Sequence, residues 1–363
     1  MGNTLGAHRR VGETGSAALW TPVDDELRER LRRDPHRPRY HFLPPAHWMN
    51  DPNGLIQWRG KYHLFYQHHP YGPLWANMHW GHAVSSDLVH WEHLPIALAP
   101  TPDSPDQDGV YSGCAVDNNG VPTIVYTGVR GRDQLVCLAT ADGDDENLVT
   151  WRKWPGNPVI PERPANLDIL QYRDPSVWRE ADGWYLLSGA GITGVGGAAL
   201  LYRSPDLVNW EYLEPILVGD LTRREPVWTG TMWECPQLFP LGDKHVLIIA
   251  VWEERTTHYA AYAIGTFAEG HFTPETEGIL DAGILYAPQT MRDDQGRRIL
   301  WGWLREGRSK AAMQTAGWSG VMSLPWILSL RPDGGLGCAP APELEALRRE
   351  HRRFDGVALE AGG

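Results

Sequence analysis

A unit of about sixty residues recurs along this chain and strongly limits the folds that it can adopt. Five strand-length segments, rich in β-branched and aromatic residues, keep the same phase: 61–67, 122–128, 183–189, 245–251 and 298–304. Four aromatic residues near the ends of segments resembling "SSDLVHWE" stand 60, 59 and 62 residues apart: Trp91, Trp151, Trp210 and Phe272. Strand-rich repeats of this length, without helical periodicity, are typical of β-propeller blades.

The repeat predicts an all-β fold, a five-bladed β-propeller with four-stranded antiparallel blades, over residues 41–338. Residues 1–40 precede it as an N-terminal extension. We expect this extension to be partly disordered or to form a short charged helix in "DDELRERLRRDP" at 24–35. Residues 339–363 follow as a linker-like C-terminal tail.

Composition and charge argue against several classes of partner. The 363 residues are 42% hydrophobic, which is enough for a large core, and carry a formal net charge of −12. This charge argues against binding to nucleic acid or to an anionic membrane. The first forty residues lack a signal-peptide pattern and no eighteen apolar residues are consecutive, so we expect a cytoplasmic protein. Four widely spaced cysteines are expected to be reduced thiols.

The register of the repeat brings several polar side chains together. In a propeller, the first strand of each blade lines the central channel, so equivalent positions on these strands converge on one axial pocket. Nine to twelve residues before the start of the five recurring segments, at intervals of 61, 62, 60 and 52, stand Asp51, Ser112, Asp174, Glu234 and Tyr286. Three blades therefore present an acid at the mouth of one pocket.

Paired carboxylates at a pocket mouth are typical of glycosidases. One acid protonates the leaving oxygen, and the other attacks the anomeric carbon or activates water. We assign Asp51 as the nucleophile, since hydrogen bonds from Asn50 and nearby amides should keep it ionised. Glu234, between Trp233 and Cys235, is assigned as the acid/base. The third acid, Asp174, is expected to accept hydrogen bonds from sugar hydroxyls.

Structural explanations exist for each acid taken alone. Asp51 begins "DPNG", which fits a type I turn that an Asp side chain would cap. Asp174 stands beside Arg173 and could form a structural ion pair with it. Because independent turn residues need not fall in phase with a repeat, the common register favours the functional interpretation.

Nine of the fifteen histidines lie between His41 and His93, which raises the question of a metal site. Their spacings match no zinc signature. We therefore expect no metal, and we interpret these histidines as hydrogen-bonded side chains in and around the pocket.

Three motifs, "WMNDPNG", "YRDPS" and "WECPQ", resemble in order and spacing the signatures of glycoside hydrolase family 32, the β-fructofuranosidases. The resemblance extends through "YAPQT" and "GWSGVMSLP" and covers about residues 40–345. It implies a retaining double displacement at C2 of a terminal β-D-fructofuranosyl unit, without a cofactor or metal. Asp51 would be the nucleophile, Glu234 the acid/base and Asp174 the transition-state stabiliser. The positions that match the family's fructose subsite are Asn50, Gln67, Trp75, Tyr111, Ser112, Arg173 and Tyr286.

The resemblance also indicates one departure. Members of this family usually carry a C-terminal β-sandwich, and this chain stops where its linker would begin. The flank that the sandwich would cover is expected to be shielded by self-association, giving a homo-oligomer.

The sequence leaves both the type of reaction and the substrate open. A fructosyltransferase would use the same covalent intermediate, a furanosidase acting on arabinose polymers would also use three acids, and a sugar-binding propeller would perform no chemistry. Sucrose, sucrose 6-phosphate and short inulin- or levan-type fructans all remain candidate substrates.

Overall fold

The computed structural model describes residues 18–350, 352–353 and 355–357. Within the N-terminal extension, helix α1 (Asp25–Arg33) follows the N-cap residue Asp24, whose side chain accepts a hydrogen bond from the Leu27 amide at 2.8 Å. Residues 1–17, part of the segment expected to be disordered, lie outside the described residues. Residues 351, 354 and 358–363 of the predicted tail also lie outside the described residues.

Five β-sheets follow one another along the chain. Blade 1 consists of β1 (His47–Trp58), β2 (Lys61–His69), β3 (His79–Ser85) and β4 (Trp91–Leu98). Blade 2 consists of β5 (Gly109–Asn118), β6 (Val121–Arg130), β7 (Asp133–Ala141) and β8 (Trp151–Lys153). Blade 3 consists of β9 (Ile169–Glu180), β10 (Gly183–Ile192), β11 (Gly196–Ser204) and β12 (Glu211–Val218). Blade 4 consists of β13 (Met232–Leu241), β14 (Lys244–Glu253), β15 (Thr256–Ala268) and β16 (His271–Asp281).

Blade 5 begins with β17 (Leu285–Arg292) and β18 (Arg298–Leu304). The chain then forms α2 (Lys310–Ala316), β19 (Trp318–Ser319), which pairs with β1, and β20 (Val321–Met322), which pairs with β18. It continues through β21 (Trp326–Leu330) and β22 (Leu336–Pro340), and a 3-10 helix follows at Pro342–Leu347. The last strand thus ends two residues beyond the predicted boundary at residue 338.

The first strand of every blade is innermost, and these five strands contact one another in a closed ring. Strands within each blade pair in antiparallel fashion, as predicted, while β19 pairs with β1 in parallel. The five recurring segments form the second strand of each blade, and the four marker aromatics stand at or next to the start of the fourth. The predicted five-bladed propeller is confirmed.

The turn predicted at "DPNG" is wrong, because residues 51–54 lie inside β1. The pairing of β1 with β2 shifts register twice, between Met49 and Pro52 and again between Asn53 and Ile56. Gly54 has a φ of 53°, and a Cβ there would come within 2.9 Å of the Phe65 and Trp80 rings. The turn-like composition therefore serves two bulges in a strand.

A related bulge shapes the innermost strands of blades 3, 4 and 5. In each, a residue with positive φ, between 47° and 61°, is followed by proline, and the ladder skips at this point: Asp174-Pro175, Cys235-Pro236 and Ala287-Pro288. The residues just before the bulge are therefore structural equivalents: Arg173, Glu234 and Tyr286. Glu234 is thus equivalent to Arg173 and not to Asp174, so the predicted alignment of the acids is one residue out in blade 4.

The N-terminal extension packs where blade 1 meets blade 5. Leu27 and Leu31 of α1 are buried against Leu43, Ala46 and Trp318. The Trp318 indole donates a hydrogen bond to Asp34 Oδ2 at 2.6 Å, and Trp318 belongs to β19, which pairs with β1. The extension therefore helps to close the ring of blades. No helix in the described part of the chain is long and apolar enough to cross a bilayer.

We predict that Leu31→Ala lowers the free energy of unfolding by about 2–4 kcal/mol, because it opens a cavity between α1 and the blade closure. The matched control is Glu26→Ala on the exposed face of the same helix, which should change stability by less than about 0.5 kcal/mol. Chemical denaturation followed by tryptophan fluorescence measures both. Equal stability of the two variants would show that α1 does not support the closure.

Candidate active site

A cavity of about 690 Å³ opens at one end of the channel. Each of the five innermost strands contributes side chains to it, because the bulges turn these residues toward the axis. All ten residues predicted from the sequence line this cavity: Asn50, Asp51, Gln67, Trp75, Tyr111, Ser112, Arg173, Asp174, Glu234 and Tyr286.

Asp51 is fixed by uncharged hydrogen-bond donors. Ser112 Oγ donates to its Oδ2 at 2.7 Å, and Asn50 Nδ2 donates to its Oδ1 at 3.0 Å. Asn50 is itself oriented by the Trp48 indole, which donates to Asn50 Oδ1 at 2.7 Å. Among the residues that the structure describes, the carboxylate has no ion pair, so these neutral donors hold it in place.

The protonation of Asp51 differs from the expectation that hydrogen bonds keep it ionised. Burial, and then the nearby charge of Glu234, raise the pKa of Asp51 to about 6, against the lowering effect of its bonds from Ser112 and Asn50. The carboxyl is therefore mainly ionised only above about pH 6.

Glu234 has charged and hydroxylic partners. Arg173 donates to its Oε1 through Nη2 at 2.8 Å and Nε at 3.0 Å, and Tyr286 donates to its Oε2 at 2.6 Å. Arg173 Nε lies 3.9 Å from Asp174 Oδ2, which is longer than the 2.8 Å between Arg173 Nη2 and Glu234 Oε1. Glu234 is therefore the closer partner of Arg173. These contacts between equivalent positions of three blades orient the Glu234 carboxyl.

Asp174 is the most enclosed of the three acids. It is 4% exposed, and its Oδ2 accepts from the Cys235 amide at 3.2 Å and lies 3.7 Å from the Cys235 thiol. Burial raises the pKa of Asp174, Arg173 opposes this shift, and the charges of Glu234 and Asp51 add to it. Burial and the three acids also raise the pKa of the Cys235 thiol well above its usual value. Cys235 therefore stays protonated between two carboxyl groups, since Asp51 Oδ2 is 4.0 Å from its sulfur.

Aromatic and amide side chains form the walls of the cavity. Trp75 is 52% exposed and its ring centre lies 5.7 Å from that of Tyr111 in an edge-on arrangement. Trp48 and Trp303 pack together with ring centres 6.0 Å apart. Such surfaces suit the apolar faces of a sugar ring. Gln67 is anchored by donating to the Val110 carbonyl at 3.0 Å.

The cavity is also lined by seven residues that were not predicted from the sequence: Trp48, Gln134, Gln171, Trp252, Arg255, Thr257 and Trp303. Gln171 stands two residues before Arg173 on β9, so strand alternation could have indicated it. Trp303 lies opposite Tyr286 in the β17–β18 ladder, a pairing that the sequence does not display.

Several histidines of blade 1 form side-chain hydrogen bonds, as expected, but none of the blade 1 histidines lines the cavity. His68 Nδ1 bonds the Trp48 carbonyl at 2.7 Å and its Nε2 bonds Thr21 Oγ1 at 2.8 Å, which ties the N-terminal extension to the strand beneath the cavity. Burial lowers the pKa of His68 to about 3, so it is neutral. Within the described residues, no group of three or more His, Cys, Asp or Glu side chains is arranged to hold a metal ion. The four cysteines, all in the described part, are free.

Comparison with known proteins places this geometry in a family. Residues 41–339 match the model of the glycosyl hydrolases family 32 N-terminal domain. A sucrose-6-phosphate hydrolase of Zymomonas mobilis is 39% identical over an alignment covering 91% of this chain and 67% of that protein.

Two solved structures are also similar. Fructan 1-exohydrolase IIa from Cichorium intybus matches with a TM-score of 0.77 and 34% identity, covering 86% of this chain and 62% of that one. A mutant of a Bombyx mori GH32 beta-fructofuranosidase in complex with sucrose matches with a TM-score of 0.76 and 34% identity, covering 90% and 71%. The chain thus spans about two thirds of the length of these relatives. Since the family model covers most of the chain and the propeller is shared, this chain belongs to glycoside hydrolase family 32.

Proposed function

We propose that the chain is a retaining β-fructofuranosidase that cleaves terminal β-D-fructofuranosyl residues from sucrose, sucrose 6-phosphate or short fructans. The observation that carries this proposal is the difference between the two facing acids. Asp51 is held by the neutral donors Ser112 and Asn50, whereas Glu234 is held by Arg173 and Tyr286, so the two carboxyl groups have the separate environments that two acids with different roles require. The names of the three relatives support the substrate class.

In the first step, the Asp51 carboxylate attacks C2 of the fructosyl unit and the bond from C2 to the leaving oxygen breaks. Glu234 donates its proton to that oxygen, so that the leaving sugar departs as a neutral alcohol. In the second step, Glu234 takes a proton from water, which attacks C2 and breaks the ester to Asp51. Two displacements at one carbon return the original configuration.

The remaining side chains bind the fructosyl unit in this proposal. Asp174 accepts hydrogen bonds from its hydroxyls, while Asn50 and Gln67 offer amide groups at the floor. The exposed Trp75 ring gives a stacking surface at the mouth. Because Asp174 and Asp51 are costly to ionise together, hydrogen bonds from substrate hydroxyls would relieve part of that cost.

The alternatives differ in what they require. A fructosyltransferase would share the ester on Asp51 and differ only in its acceptor, and the named hydrolases among the relatives favour water. A sugar-binding propeller would not need two acids in separate hydrogen-bond environments. The homo-oligomer and the cytoplasmic location expected from the sequence stay predictions.

The reaction with methanol tests the proposed mechanism. An alcohol can replace water in the second displacement, so hydrolysis of sucrose in the presence of methanol should yield methyl β-D-fructofuranoside. Proton and carbon NMR in the first minutes should also show β-D-fructofuranose as the first sugar released.

An α-linked methyl fructoside, or α-fructofuranose as the first product, would mean inversion and would contradict the role of Asp51. The control is Asp51→Ala, which should reduce turnover by about three orders of magnitude or more and give no methyl fructoside. A variant that kept a tenth of the activity would instead support a merely structural role for Asp51.

The pH dependence follows from the raised pKa of Asp51. The nucleophile acts as a carboxylate, so kcat/KM should fall as pH decreases through about 6, by about tenfold per pH unit below it. Ser112→Ala removes a hydrogen bond that lowers this pKa, so the variant's acid limb should move to higher pH. Initial rates on sucrose from pH 4 to 8 measure both. An acid limb that moved to lower pH in Ser112→Ala would contradict this electrostatic account.

A further inference from the structure

The hairpin between β14 and β15 stands over the acid/base on the same blade. Its two-residue turn, Glu254 and Arg255, has φ angles of 44° and 70°, as in a tight hairpin turn. Trp252 and Thr257 pair across the ladder just before and after this turn, and they line the cavity together with Arg255. Glu234 of β13 pairs with Ala250 of β14, which precedes Trp252 by two residues. The hairpin tip therefore lies beyond Glu234 along the direction of β14.

The two arginines that line the cavity differ in their partners. Arg173 is committed to Glu234 and Gln171. Arg255 is exposed at the rim of the cavity and has no hydrogen bond, ion pair or aromatic partner among the described residues. The neighbouring Glu253 faces His258, with 3.6 Å between Oε2 and Nε2. The Arg255 guanidinium is therefore available to a ligand.

A second cation supports this side of the mouth. Arg305 donates to the Thr257 carbonyl and, at 2.9 Å, to the Gly283 carbonyl. Its partners are neutral carbonyls, so its charge is not cancelled by a carboxylate in these contacts. Arg305 thus fixes the strand that follows the hairpin and adds positive potential beside Arg255.

The leaving sugar must lie on this side, because Glu234 has to reach the oxygen that joins it to fructose. A phosphate on that sugar would enter a cavity with three carboxyl groups, which repel it. An unpaired arginine offsets that repulsion and offers the planar fork that binds phosphate oxygens in pairs. A neutral leaving sugar would gain no such charge-assisted bond.

We infer that Arg255 forms a subsite for a phosphate monoester on the leaving sugar and makes the enzyme prefer sucrose 6-phosphate over sucrose. This inference rests on the proposed β-fructofuranosidase function and adds to it a residue that sets specificity. The contact uses the guanidinium and leaves the bond-breaking steps at Asp51 and Glu234 unchanged.

The test compares kcat/KM on sucrose 6-phosphate and sucrose for the unaltered chain, Arg255→Asn and Arg255→Lys. Asn is chosen because it tolerates the positive φ at this position. Arg255→Asn should lose about 10- to 100-fold on sucrose 6-phosphate and less than about threefold on sucrose, and Arg255→Lys should retain part of the preference. The matched control is Arg224→Asn, since Arg224 is exposed, stacks 5.1 Å from the Trp228 ring and does not line the cavity. It should leave both substrates unchanged.

Product binding gives a second readout that needs no turnover. Glucose 6-phosphate should bind the unaltered chain more tightly than glucose or inorganic phosphate in calorimetry, and Arg255→Asn should remove that advantage. Tight binding of inorganic phosphate alone, insensitive to the sugar, would overturn a subsite for the phosphorylated sugar.

Equal losses of kcat/KM on both substrates in Arg255→Asn, or none on either, would overturn the inference while leaving the proposed hydrolase function intact. If the unaltered chain hydrolysed neither substrate, the proposed function would fail, and glucose 6-phosphate binding would still decide the subsite.

Discussion

Three carboxyl groups share one largely buried cavity, and their mutual repulsion is the constraint around which this end of the propeller is built. Burial raises the pKa of both Asp51 and Asp174; the charge of Glu234 adds to the rise at Asp51, and the charges of Glu234 and Asp51 add to the rise at Asp174. Arg173 and Tyr286 hold Glu234, Ser112 and Asn50 hold Asp51, and the Cys235 amide and thiol face Asp174. The acids thus differ in environment as well as in position, as the proposed roles of nucleophile and acid/base require.

The five-fold ring provides these contacts because equivalent positions on neighbouring blades meet at the axis. In blades 3, 4 and 5 the innermost strand bends at a bulge that contains a proline. The residues just before these bulges are Arg173, Glu234 and Tyr286, and Glu234 lies within hydrogen-bond distance of the other two. The same frame places the β14–β15 hairpin on the blade of Glu234, where Arg255 lines the same cavity and is proposed to meet the leaving sugar. In this proposal, Asp51 and Glu234 cleave the bond, and Arg255 at the hairpin tip of the same cavity selects the substrate.

Much of this architecture could be predicted from the sequence, because a sixty-residue period and short strands specify blades, and blades specify which strands are innermost. The period located Asp51, Ser112, Asp174, Glu234 and Tyr286 on those strands, although Glu234 and Tyr286 stand one position before the equivalent of Asp174. It could not show that "DPNG" is a bulged strand, since bulge and turn favour the same residues. The closer partner of Arg173, the raised pKa of Asp51 and the position of Arg255 all depend on contacts between distant parts of the chain.

Covalent trapping can distinguish the proposed roles of Asp51, which would carry the fructosyl unit, and Glu234, which would transfer the proton. In Glu234→Gln, an activated substrate such as fructosyl fluoride needs no proton for departure, but the ester then lacks the base that would help water to release it. Intact mass spectrometry should show the protein heavier by one fructosyl unit, and peptide mapping should locate that unit on Asp51. A label on another residue would contradict the account, and so would the same label persisting in the double variant with Asp51→Asn.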